Sequence, residues 1–431
     1  MAKKHIAGVA AAALLLAGCS AGGGETGSEG GEPSGEITVL TNRTDLVDTL
    51  FQEYKAEFEE QYPDVTVDFE AITDYEGEVT TRLSTGDYGD VLGIPNSVTP
   101  DQLPQFFEPL GTVEEMKEQY RYVDKAAYDG TAYGMATFGN ANGFLYNTAV
   151  WEEAGITETP TTPDEFLDAL RAIQENTEAI PYYTNYADGW PLGQWQGNRG
   201  ISGDPETVNE MNSIDNPWSD GKEQYVLDGL LFDIVAEGLS EDDPLTTEWE
   251  GSKGMTATGE IATMALGSWA ITQFEDAAEA AGVDPETIGF MPFPYQENGT
   301  FYSQTGGDFS NAINVNSENK VAARAWVDWF ANESGFAESQ GAIPPQVDSE
   351  LPESLSTFEE LGVELIELTP APAENATLHS DIYNEAEIDL FGQIYRQQLV
   401  DVARGAADGD KESFFEDLNT RWAQARAEVT S

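Results

Sequence analysis

The chain has 431 residues, with 19 Lys and Arg against 79 Asp and Glu and a formal charge of -60. That balance excludes a nucleic-acid binder, which needs a basic patch against the phosphate backbone, and argues against an anionic solute. The length calls for two lobes or domains instead of a single core.

Lys3 and Lys4 open the chain, and an apolar run from Ile6 to Leu16 follows. The run is shorter than the roughly 20 residues that span a bilayer, and it suits a secretory signal. It ends in Leu16-Ala17-Gly18-Cys19, which resembles the bacterial lipobox. The resemblance implies cleavage before Cys19, residues 1–18 as signal peptide, and a lipid on that cysteine. Residues 19–35 are rich in Gly and Ser and read as a slack tether. The expected location is therefore the extracellular face of the cell membrane, with a globular body held there by lipid.

The body opens with a strand at 36–42. Leu46, Leu50, Phe51, Tyr54 and Phe58 then fall on one helical face. Tyr62-Pro63-Asp64 breaks that pattern, Val65–Phe69 alternates as a strand, a helix carries Val79 and Leu83, and 90–94 is a third strand. Strand alternating with helix predicts an α/β fold with a largely parallel sheet. The segment 133–155 starts as a strand and ends as a helix. Helices are expected at 163–177, 222–238, 256–281 and 318–333 and over most of 381–428, with a strand at 288–292.

Several passages, in this order, are similar to the extracellular solute-binding proteins of ABC importers, in the sugar-binding group that includes maltose-binding protein. They are Phe58–Val67, Leu83–Val91, Gly143–Asn147 with Glu153–Gly155, Met264–Trp269, Ala312–Lys320 and Gly341–Pro345. The resemblance spans about residues 36–431. It implies the two-lobed type II periplasmic-binding-protein-like fold, with a ligand cleft between lobes joined by crossovers near 137–143, 303–309 and 341–346. One lobe would hold 36–138 plus 308–342, the other 140–304 plus 343–431. The implied function is carriage of a neutral carbohydrate, an oligosaccharide by preference, to a membrane permease, by a monomer with no cofactor and no catalytic residue. A peptide or polyol ligand stays open.

A sugar presents hydroxyls around a ring and apolar C–H faces, so its site needs aromatic faces and planar amides or carboxylates. Trp190 and Trp269 match aromatic positions of the family's site, and Trp195 is a further aromatic candidate. Trp326 and Trp329 sit at helical spacing with Val327 and Phe330 and read as core. Polar candidates follow the strands: Asn42, Arg43 and Asp45 after the first, and Asn96 after the third. Asn140 and Asn142 lie on the first crossover, Gly307 and Asp308 on the second. Asn140 stands where maltose-binding protein has a ligand-contacting glutamate, which argues against maltose. Gly306-Gly307 lacks the partners of a phosphate loop, and Glu241–Asp243 lacks calcium-loop spacing, so no metal is expected. Two other readings compete. A secreted glycosidase needs only two carboxylates, which 79 acidic residues cannot exclude. A surface sensor or adhesin would share the fold. A serine hydrolase is excluded by the absence of Gly-x-Ser-x-Gly and by His379 being the only histidine past the signal.

Overall fold

The computed structural model describes residues 31–431. The signal segment and Cys19 lie outside the described residues, as does most of the tether. The body contains two main β-sheets, each flanked by helices. In the first sheet Gly35–Thr41 pairs in parallel with Val65–Ala71 on one side and with Val91–Gly93 on the other. Ser310–Ile313 then joins antiparallel, followed by Met135–Ala136. The sheet is thus mixed, not largely parallel: Ser310–Ile313, which returns from a crossover, runs against both of its neighbours.

Helix Leu50–Gln61 buries Phe51, Tyr54 and Phe58, the face its periodicity predicts, although it starts only after Leu46. Those rings meet Trp326, Trp329 and Phe330 of helix Lys320–Asn332, and both tryptophans are core.

The second sheet is built on the long strand Gly139–Asn147. It pairs antiparallel with Thr263–Gly267, Ile288–Met291 and Thr300–Gly307, and Thr300–Gly307 in turn pairs in parallel with Glu364–Ile366. The continuous helix expected over 256–281 is corrected here. The chain forms helix Trp249–Ala257, turns at Gly259 with φ 83°, runs as the buried strand Thr263–Gly267, and forms helix Ile271–Ala281. A short apolar run that is buried on both faces has no periodicity to separate strand from helix.

All three expected crossover regions meet at Gly139. Its backbone pairs with Gly307 and also with Ile343, N–H to carbonyl at 2.8 Å and 3.0 Å in the two directions. A mixed α/β chain with two sheets joined by three adjacent segments is the two-lobed type II architecture.

Candidate functional site

A cavity of about 800 Å³ opens beside these crossovers. Arg43 and Asp45 line it from the loop after the first strand, Phe138, Asn140 and Asp308 from the crossovers, and Trp269, Thr272 and Glu275 from the strand–helix junction of the second sheet. A smaller cavity of about 230 Å³ shares Arg43, Phe138 and Asp308 with it and is also lined by Asn42 and a wall of Phe51, Phe69 and Phe336. Loops at strand ends converge here because open α/β sheets leave a crevice at that edge.

Trp269 follows Gly267 at the end of its strand, where the chain turns into a helix. Its ring centroid lies 5.9 Å from Trp190 and 6.0 Å from Trp249, and Trp190 and Trp249 are 4.8 Å apart at 73°. All three rings are only partly buried. Trp249 was missed in the sequence because Glu248 and Glu250 flank it and disguise it as a surface residue. A tryptophan opening a helix between two acids was the available signal. The Asp188 carboxylate fixes its position by accepting the Trp249 backbone N–H at 2.7 Å.

The polar candidates divide. The Arg43 guanidinium grips Asp45 through two bonds of 2.9 and 2.6 Å and donates to Gln340 Oε1 at 2.6 Å. The Arg43 contact holds the Asp45 carboxyl below its usual range. Asn140 Oδ1 and Gln304 Oε1 are buried carbonyl oxygens that accept no hydrogen bond from the protein. Such an acceptor costs about 1–3 kcal/mol until something donates to it. Gln304 was not foreseen from the sequence. Asp308 lines both cavities, and its Oδ1 accepts the Phe309 N–H at 2.7 Å. Acidic groups predominate around the larger cavity. Burial raises the Glu275 carboxyl, and the neighbouring charges of Asp276 and Glu279 raise it further.

Five of the expected residues line neither cavity: Trp190, whose place is the cluster above, and four more. Trp195 is fully buried among Phe144, Tyr182 and Phe293, and its Nε1–H is satisfied by Tyr182 Oη at 2.8 Å, so no face is free for a ligand. Asn96 is exposed and bonded to the Glu76 carboxylate, and it lines neither cavity. Asn142 also lines neither; its amide donates to the Gln304 carbonyl at 3.0 Å and packs against Gly197. Gly307 turns its Cα toward Tyr122 and Ala136, where a Cβ would come within 2.9 Å, so its role is close packing of backbone.

Among the described residues no group of three or more His, Cys, Asp or Glu could hold a metal ion. No described helix is long and apolar enough to cross a membrane.

A family model of bacterial extracellular solute-binding proteins matches residues 44–335. The chain belongs to that family. This solute-binding protein is similar to a binding protein of an ABC transporter from Bifidobacterium animalis subsp. lactis solved with mannobiose. The two are 35% identical over 92% of this chain and 95% of that one, with a TM-score of 0.78. A manno-oligosaccharide specific solute binding protein from the same organism, solved with mannotriose, is 34% identical over 93% and 96%, with a TM-score of 0.78. The multiple sugar-binding protein of Streptococcus mutans is 24% identical over 74% of this chain and 75% of its own length.

Proposed function

We propose that this solute-binding protein carries a short neutral oligosaccharide to an ABC permease, and that a manno-oligosaccharide is the first ligand to test. The observation that carries the reading is the Trp190–Trp249–Trp269 cluster, with Trp269 lining the same cavity as Asn140 and Asp308. Aromatic faces take the apolar side of a sugar ring, and the amide and carboxylate take its hydroxyls. The carboxylates around the cavity repel an acidic sugar. The relatives crystallised with mannobiose and mannotriose support the class.

In the same reading Cys19 bears a lipid, the protein is a monomer on the outer face of the membrane, and the lobes are 36–138 plus 308–342 and 140–304 plus 343–431. The pairing of Gly139 with Gly307 and Ile343 supports those boundaries. Binding closes the lobes about that point and presents a surface to the permease.

Calorimetry of the chain from Ser20 onward tests the reading against mannobiose, mannotriose, maltotriose, xylobiose, uronate oligomers and short peptides. A saturable signal with a neutral oligosaccharide that is recovered intact supports it. Recovery of cleaved sugar would replace it with a glycosidase. A response to peptides alone would keep the fold and overturn the substrate.

A further inference from the structure

Residues Arg121 to Lys125 touch all three crossovers and line neither of the two cavities described above. Arg121 holds the third. Its guanidinium donates to the carbonyl oxygens of Pro344 at 2.9 Å, Val347 at 2.8 Å and Ser349 at 3.3 Å, and also to that of Gln346. Its own N–H donates to Pro345 O at 2.7 Å. Tyr122 is buried between the first and second crossovers. Its hydroxyl bonds Thr305 Oγ1 at 2.9 Å, and its ring fills the space where side chains at Gly139 and Gly307 would stand. Lys125 holds the second crossover, donating from Nζ to Gly307 O at 2.8 Å and to Asp308 O at 2.9 Å.

Tyr122 has φ 65°, an unfavourable conformation for a residue with a side chain. The Glu367 carboxylate, on a distant part of the chain, accepts its N–H at 3.0 Å. The strain persists because contacts on every side fix it.

Register gives the segment its meaning. Gly307 pairs with Gly139, Gly306 with Asn140 and Thr305 with Ala141. Side chains alternate along a strand, so Tyr122 occupies the face of Gly139, Thr305 and Gly307, while Asn140 projects from the other.

We propose that Arg121–Lys125 is a clasp behind the cleft that positions its ligand-facing residues, with Lys125 acting as a positioning residue for Asp308. The inference rests on the saccharide reading for its ligand arm only. Lys125 fixes the carbonyls of the peptide bonds that enter and leave Asp308, and Tyr122 sets the spacing of the strand that carries Asn140 and the strand that ends just before Asp308.

Two readouts test it. The first is amide hydrogen exchange in the ligand-free protein at Asp308, whose N–H donates to Phe138 O at 2.8 Å, and at Phe309. Lys125→Met is expected to speed exchange there about tenfold or more, and Lys125→Arg to restore it. The second is mannotriose affinity. Lys125→Met is expected to weaken it by about three- to thirtyfold, and by less than about twofold when Asp308 is already Asn, because residues acting through one another are not additive. Tyr122→Phe removes only the Thr305 bond and gives the same exchange result at Thr305 if the lysine variant folds poorly. Unchanged exchange would overturn the clasp whatever the sugar data say. Undiminished weakening in the Asp308→Asn background would overturn positioning through Asp308. A wild-type protein that binds no saccharide would count against the substrate class, and the exchange arm would still decide the clasp.

Discussion

At the scale of single residues, geometry separates tryptophans that composition treats alike. Trp195 and Trp249 differ in what their faces meet. Trp195 is closed in by Phe144, Tyr182 and Phe293, whereas Trp249 is partly exposed, with Trp190, Trp269 and Phe274 beside it and Lys253 Nζ 5.2 Å from its ring centroid. Trp249→Ala is therefore expected to weaken saccharide binding by about 5- to 150-fold, the loss of one aromatic contact worth about 1–3 kcal/mol. Trp195→Phe should leave affinity within about twofold and lower stability by about 1–2 kcal/mol, through the lost Tyr182 bond and the smaller ring. Calorimetry and urea unfolding on the two variants check the pair. The reverse pattern would exchange their roles.

At the scale of elements, a buried ion pair ties helices of the second lobe to the turn that carries Trp190. Arg396 Nε donates to Asp228 Oδ1 at 2.8 Å with both side chains fully buried. Asp228 Oδ2 also accepts from Trp218, Gln224 and Tyr395, and Arg396 reaches Gln196 Oε1 at 2.7 Å, just past the Trp190–Gly193 turn. Asp228→Ala leaves a buried guanidinium without its anion and is expected to cost about 3–5 kcal/mol in urea unfolding. A loss under about 1 kcal/mol would mean that water reaches the arginine. None of this was readable beforehand, since residues 228 and 396 meet only through the fold. What was readable from local periodicity was the face Phe51, Tyr54 and Phe58 and the core pair Trp326 and Trp329, whereas the crossover positions were implied by the family resemblance alone. The strand Thr263–Gly267 was lost because Met264-Ala-Leu266 is apolar throughout. In the cavity, Asn42, Arg43, Asp45, Asn140 and Asp308 were legible from their places after strands or on crossovers. Gln304, which lines neither cavity, was not legible, because its buried and unpaired oxygen depends on its neighbours in space.

At the scale of the whole molecule, charge sets how stability responds to the medium. The net charge of -60 repels itself, and salt shortens the reach of that repulsion to about 10 Å at 0.1 M. The melting temperature is expected to rise steadily between low salt and about 1 M NaCl, and a flat or falling curve would show that self-repulsion does not govern stability. Two groups, the partly buried His379 and the buried Glu241, give the pH dependence opposite slopes. Burial, then the Arg199 charge, pulls His379 down to about 3 from 6.5. Below 6.5 the unfolded chain therefore binds a proton that the native chain refuses, and stability falls as pH falls, by up to about 1.4 kcal/mol per unit. Burial pushes the Glu241 carboxyl up to about 7 from 4.5, against the opposing bonds from Thr184. Between those values the native chain holds a proton that the unfolded chain has released. This contribution is full below 4.5 and is lost as pH rises through 7. From 4.5 to 6.5 the two slopes cancel in the wild type, so single variants are needed to expose them. Glu241→Gln should gain stability relative to wild type as pH rises from 4.5 to 7 and then level off. His379→Gln should gain relative to wild type as pH falls below 6.5. Urea midpoints taken from about pH 4.5 to about pH 8 measure both differences. A Glu241→Gln difference that stays flat would show that solvent reaches the carboxylate, and a flat His379→Gln difference would show that solvent reaches the ring, so that neither burial nor the Arg199 charge depresses its protonation.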